Sequence, residues 1–185
     1  RQDMKPAELQ KKITAEISAV KPEGAYAFVL KPENYGPTIP IILSYFSNSL
    51  KLSGIYVSLN KPYKEISKSL KENKIDIKNI LFIDGVSEAP SSNDNCISLE
   101  GNKSLTQLSL ILTSACKNKS IRFIIFDSIT TLLLVHNPET IQRFLHYFIN
   151  KSRNIGMLLM VIIDEPNSNQ LYPVLSQFCD KIIKI

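Results

Sequence analysis

The chain has 185 residues, 44% hydrophobic and 21% charged, which fits one domain with a substantial core and excludes a disordered or fibrous chain. A net charge of +5 is mildly basic and well short of the Lys/Arg loading of a dedicated nucleic-acid binder. Cys96, Cys116 and Cys179 are dispersed and form no CxxC pair, which argues against a disulfide framework or zinc site and for reduced thiols in a cytoplasmic protein.

In chain order, RQDMKPAELQKK carries no apolar targeting segment, and the start at Arg1 rather than Met points to a piece of a longer protein. Residues 6–19 predict a helix with Pro6 in its first turn and Leu9, Ile13, Ile17 and Val20 on one face. Residues 1–22 are this helix and a lead-in, within a single domain spanning 1–185. AYAFVL (25–30) predicts a buried strand, Ile39 to Leu50 a helix, GIYVSL (54–59) a second strand and NILFID (79–84) a third. Residues 87–104 are polar and turn-rich, and predict a surface loop that is the most mobile part of the chain. A helix follows at 104–116, the strand IRFIIFD at 121–127, a helix opened by Pro138 and Glu139 at 138–153, and the strand MLLMVIID at 157–164, before KIIKI closes the chain. Strands that are continuous apolar runs are covered on both faces, so the fold class is a three-layer α/β sandwich around a mostly parallel sheet. No apolar run is long enough to span a bilayer, and no membrane partner is expected.

Residues 30–43, LKPENYGPTIPIIL, lie between strand and helix, where many proteins hold a phosphate. The phosphate-loop spacing G-x-x-x-x-G-K-[ST] uses glycines to curl the backbone, a lysine to neutralise phosphate and a hydroxyl to hold Mg²⁺. Here Lys31 takes the first glycine's place, Gly36 the second and Thr38 the hydroxyl's, while Pro37 stands where the lysine belongs. Proline removes both a charge and an N–H donor. The alternative is a plain strand-to-helix turn. The conformation of 31–38 decides: an open loop revives a nucleotide site, and a collapse filled by Tyr35 or Glu33 closes it.

Asp84, Asp127 and Asp164 each end an apolar strand and, with Glu165, form a candidate acidic rim for a cation; the plainer reading is that each caps a turn. VIIDEP (161–166) could supply Asp164 and Glu165 as a catalytic pair. Lys61, Lys64, Lys68, Lys71, Lys74 and Lys78 recur every three or four residues and would form a basic stripe on one continuous helix, a face for nucleic acid or simply for solvent. His136 and His146 have no metal-spaced partners and read as structural.

IRFIIFDSIT, with Asp127–Ser128 after its apolar strand, resembles the Walker B strand of the RecA superfamily. GIYVSLNKPYKEI resembles the second-strand segment of KaiC-like proteins, and LSQFCDKIIKI their closing segment. The order agrees from about Gly24 to Ile185. The resemblance implies a RecA-like P-loop NTPase core, ATP binding, and assembly into rings or filaments. Carried over residue by residue, the P-loop lysine falls on Pro37, and the paired glutamates, one of which activates water, fall on Asn60 and Lys61. An amide and an ammonium cannot act as that base. Thr38 and Asp127 remain as magnesium ligands, and Lys31, Gly36 and Thr38 as a vestigial nucleotide site. The expectation is a catalytically inactive, degenerate-Walker-A domain with no required cofactor, acting as a regulatory or scaffolding subunit with a protein partner or itself. The alternatives are weak ATP and Mg²⁺ binding through the modified loop, or nucleic-acid binding along Lys61–Lys78.

Overall fold

A computed structural model describes residues 4–88, 95–100 and 104–185. The strands are β1 (Ala25–Leu30), β2 (Ser53–Ser58), β3 (Ile80–Asp84), β4 (Cys96–Ser98), β5 (Ile121–Asp127), β6 (Leu158–Asp164) and β7 (Lys181–Lys184). They form one sheet in the order β4-β3-β2-β5-β6-β1-β7, and every neighbouring pair is parallel. The helices are α1 (Pro6–Ser18), α2 (Pro32–Leu43), α3 (Tyr63–Glu72), α4 (Leu105–Ala115), α5 (Pro138–Asn154) and α6 (Tyr172–Phe178).

Two hydrophobic cores explain the three layers. On one face of the sheet Leu9, Ile13 and Ile17 of α1, Ile39 and Ile42 of α2, and Ile66 and Leu70 of α3 pack on Tyr26, Phe28, Tyr56, Phe82 and Phe123. On the other, Leu108 and Leu112 of α4, Ile141, Leu145 and Phe148 of α5, and Val174 and Leu175 of α6 pack on Ala25, Ala27, Ile55, Val57 and Phe126. Alternate residues of the central strands serve opposite cores, so β1, β2 and β6 show no polar face, while the edge strand β7 exposes Lys181 and Lys184. Asp180 ties the closing strand to the first: it accepts the Ala25 N–H at 2.8 Å and pairs with Arg153 at 3.1 Å.

Gly54 marks a close approach between strand and core. A Cβ there would lie 2.2–2.4 Å from the Phe123 ring, which is buried and stacked on Phe46. Gly54→Ala is expected to destabilise by about 1–3 kcal/mol through overpacking, read from the urea unfolding midpoint.

Three elements differ from the sequence expectation. The second helix starts at Pro32, not Ile39, and includes both Pro37 and Pro40. Pro32 suits the first helical position, and burial of Ile39, Ile42 and Leu43 outweighs the hydrogen bonds lost at the two interior prolines. Beyond Leu43 the helix widens, with the Leu50 N–H reaching back to the Tyr45 carbonyl. The expected loop over 87–104 contains β4, paired with β3; the part of that mobile-loop expectation at 89–94 and 101–103 lies outside the described residues. The third helix ends at Glu72, so Lys61, Lys74 and Lys78 lie off it and the lysines do not share one helical face.

Candidate functional site

The carboxyl ends of the strands place Asp84, Asp127 and Asp164 at one edge of the sheet. Ser58 is in register with both Asp84 and Asp127, and Leu30 with Asp164. This is the edge where parallel α/β sheets hold ligands.

Asp127 is 1% exposed, and its carboxylate is held by two phenols. Tyr35, one turn into α2, donates to one oxygen at 2.5 Å, and Tyr56 of β2 donates to the other. Tyr56 is in register with Ile125, two residues before Asp127, on the same face of the sheet. Burial pushes the Asp127 carboxyl up to about 6, against the two tyrosyl hydrogen bonds, which favour its charged form. Burial, then the negative charge of Asp127, raises both phenols well above their ordinary value. Both therefore remain donors. The cleft above them, between α2 and α3, has a volume of about 50 Å³ and is walled by Tyr35, Ile39, Lys61 and Leu70.

The segment 31–38 is closed. One residue, Lys31, separates the last residue of β1 from the first of α2, and its own N–H is bonded to the Ile185 carbonyl. The Thr38 hydroxyl, fully buried, donates to the Asn34 carbonyl at 2.6 Å. Gly36 lies inside the helix, where a Cβ would meet nothing within 4 Å, so no close backbone approach requires glycine there. Tyr35 is the side chain that fills the space, while Glu33 is exposed.

The other acids are engaged. Asp84 accepts the N–H groups of Tyr63, Val86 and Ser87 and the Ser87 hydroxyl, capping α3 and the turn after β3 together. Asp164 accepts the Thr130 hydroxyl at 2.8 Å and the Ser128 hydroxyl at 3.3 Å. Asn60 and Lys61 follow β2 at the rim, and Lys61 pairs with Glu65 at 2.9 Å. Among the described residues no group of three or more His, Cys, Asp or Glu is placed to hold a metal ion. Lys68 of α3 lies 4.0 Å from Glu72, one turn on. Among the described residues no helix is long and apolar enough to cross a membrane.

Sequence reasoning missed Tyr56. It stands inside an apolar strand, and no spacing rule connects it to Asp127.

A parallel sheet with helices on both faces and its acidic residues at the carboxyl edge defines a RecA-like α/β domain. The family model "ATPase: KaiC" matches residues 41–185, and the chain belongs to that family; the match begins beyond the 31–38 segment. A KaiC-like protein of Pyrococcus horikoshii has the same fold, with a TM-score of 0.65 and 9% identity over 88% of this chain and 70% of that one. An uncharacterized protein of Pyrococcus horikoshii, solved in complex with an unknown peptide, gives a TM-score of 0.70 and 14% identity over 94% of this chain and 82% of that one. No curated protein matches the sequence.

Proposed function

We propose that this chain is a KaiC-family domain that does not hydrolyse ATP and serves as a regulatory or scaffolding subunit, assembling with itself or with an active relative, residues 1–185 working as one domain. The observation that carries this reading is the pair of tyrosyl hydroxyls on Asp127. In a Walker-type site that carboxylate faces a magnesium ion; here both of its oxygens are bonded to phenols, in a cleft of about 50 Å³ that admits little more than water. Three further features support it. A one-residue link leaves no loop to wrap a phosphate. Pro37 brings neither charge nor N–H to the degenerate Walker A position. Asn60 and Lys61 supply no base to activate water. The residues present do not fit Mg-ATP at this edge. The peptide held by the Pyrococcus horikoshii neighbour supports a use of this fold in binding polypeptide.

The nucleotide alternative through Lys31, Gly36, Thr38 and Asp127 has less support, since the Thr38 hydroxyl is committed to Asn34 and Asp127 to the tyrosines. The nucleic-acid alternative is weakened by the end of α3 at Glu72 and by the ion pairs of Lys61 and Lys68.

Calorimetric titration with Mg-ATP, paired with a phosphate-release assay, is expected to show neither tight binding nor turnover. Sub-micromolar binding with measurable turnover overturns the proposal. Binding that is weak and without turnover selects the nucleotide alternative.

A further inference from the structure

A second concave site lies at the opposite edge of the sheet. Its volume is about 620 Å³, and it forms where α4 turns into β5 and α5 into β6. Along the seven residues of β5 it is roughly 20 Å from Asp127. Four cations line it, Lys117, Lys119, Arg122 and Lys151, and no lining residue is acidic. Ile121 and Met157, both buried, form an apolar floor.

We propose that this cavity binds a small soluble molecule carrying phosphate groups and an apolar body. Lysines near helix C-termini ordinarily answer the helix dipole, and α4 and α5 both end here. Two dipole ends amount to about one negative charge, so the cations leave a net of about three positive charges in one concavity. None of the four belongs to the ion pairs found among the described residues, where Lys61, Lys68, Arg143, Arg153 and Lys181 each hold a carboxylate. Lys151 is held by the hydroxyls of Thr113 and Tyr147, each at 3.2 Å, so one ammonium is fixed in position. Arg122 adds a planar fork suited to phosphate oxygens. The volume is that of a small-molecule site, with an apolar surface beside the charges. A nucleic-acid strand is less well matched, because the cations gather in a cavity rather than along a track and the lining has no aromatic ring for stacking.

The test is calorimetric titration of the chain with inorganic pyrophosphate and, separately, AMP, at low and moderate salt. Lys119→Gln/Arg122→Gln removes two exposed cations of the cavity; Lys64→Gln/Lys68→Gln removes two from α3 as a charge-matched control, and thermal unfolding verifies that both variants fold. Saturable binding at one site per chain is expected, weakened by about tenfold or more in the cavity variant and by less than about twofold in the control. Absence of saturation, equal weakening in both variants, or undiminished binding in the cavity variant overturns the proposal. So does binding confined to anionic phospholipid vesicles, or tighter binding to a single-stranded oligonucleotide than to either probe.

Discussion

Asp127→Asn is expected to make the protein more stable at pH 8, not less. Burial lifts the Asp127 carboxyl from 3.8 to about 6, and two units correspond to up to about 3 kcal/mol held against the charged form. Because the folded state keeps the proton more tightly than the unfolded chain, stability contributed by protonated Asp127 is complete below about pH 4 and is lost as pH rises through 6. Asparagine has nearly the same shape, carries no charge, and can accept one phenol while donating to the oxygen of the other. Urea unfolding at several pH values should therefore show the variant equal to wild type near pH 4 and ahead of it at pH 8, with a flatter profile between. Equal profiles for the two proteins would show that the carboxylate is not desolvated. A variant less stable at pH 8 would show that the tyrosines stabilise the anion by more than burial costs it.

The fold was legible because its strongest signal is local. Phe123–Phe126 and Leu158–Ile163 are continuous apolar runs, and runs this short, rich in β-branched and aromatic residues, fit strands covered on both faces better than helices. The start of α2 was not, since Pro37 and Pro40 argue locally against a helix that the core then enforces. β4 has three residues and no pattern to read. The end of α3 was hidden for another reason. Lys74 adopts a left-handed φ of 58°, and the Ile75 N–H bonds the Leu70 carbonyl, a closure that glycine usually announces and a lysine does not. At the site, Tyr35 could be named as the side chain to fill a collapsed loop because it lies within that loop. Tyr56 could not be named, since it meets Asp127 across 71 residues of sequence through strand register alone.

Asp84→Ala is expected to have the opposite effect from Asp127→Asn at the same edge of the sheet. Asp84 is 1% exposed and accepts four hydrogen bonds: Tyr63 N–H at 2.8 Å, Val86 N–H at 2.8 Å, Ser87 N–H at 3.0 Å and Ser87 hydroxyl at 2.6 Å. Burial alone would raise its carboxyl, but the Ser87 hydroxyl and the N–H groups of Tyr63, Ser87 and Val86 outweigh it and hold the group below its ordinary value. A depressed carboxyl contributes stability that is present above the unfolded value, near pH 4, and lost as pH falls through the folded one. Truncation strands three backbone donors and uncaps α3, so a loss of about 3–5 kcal/mol at pH 7 is expected, shrinking below pH 4. Urea unfolding checks both parts, and a loss under about 1 kcal/mol at pH 7 would mean that water replaces the carboxylate without strain. The two aspartates thus separate two ways of using up an acidic edge: Asp84 is ionised and spent on the backbone, while Asp127 is driven toward its neutral form beneath two phenols. Asp164 is bonded to the Ser128 and Thr130 hydroxyls. An edge whose carboxylates already hold protein donors must break those bonds before it can hold a cation, and that cost is the physical basis for proposing a KaiC-family domain that works without hydrolysis.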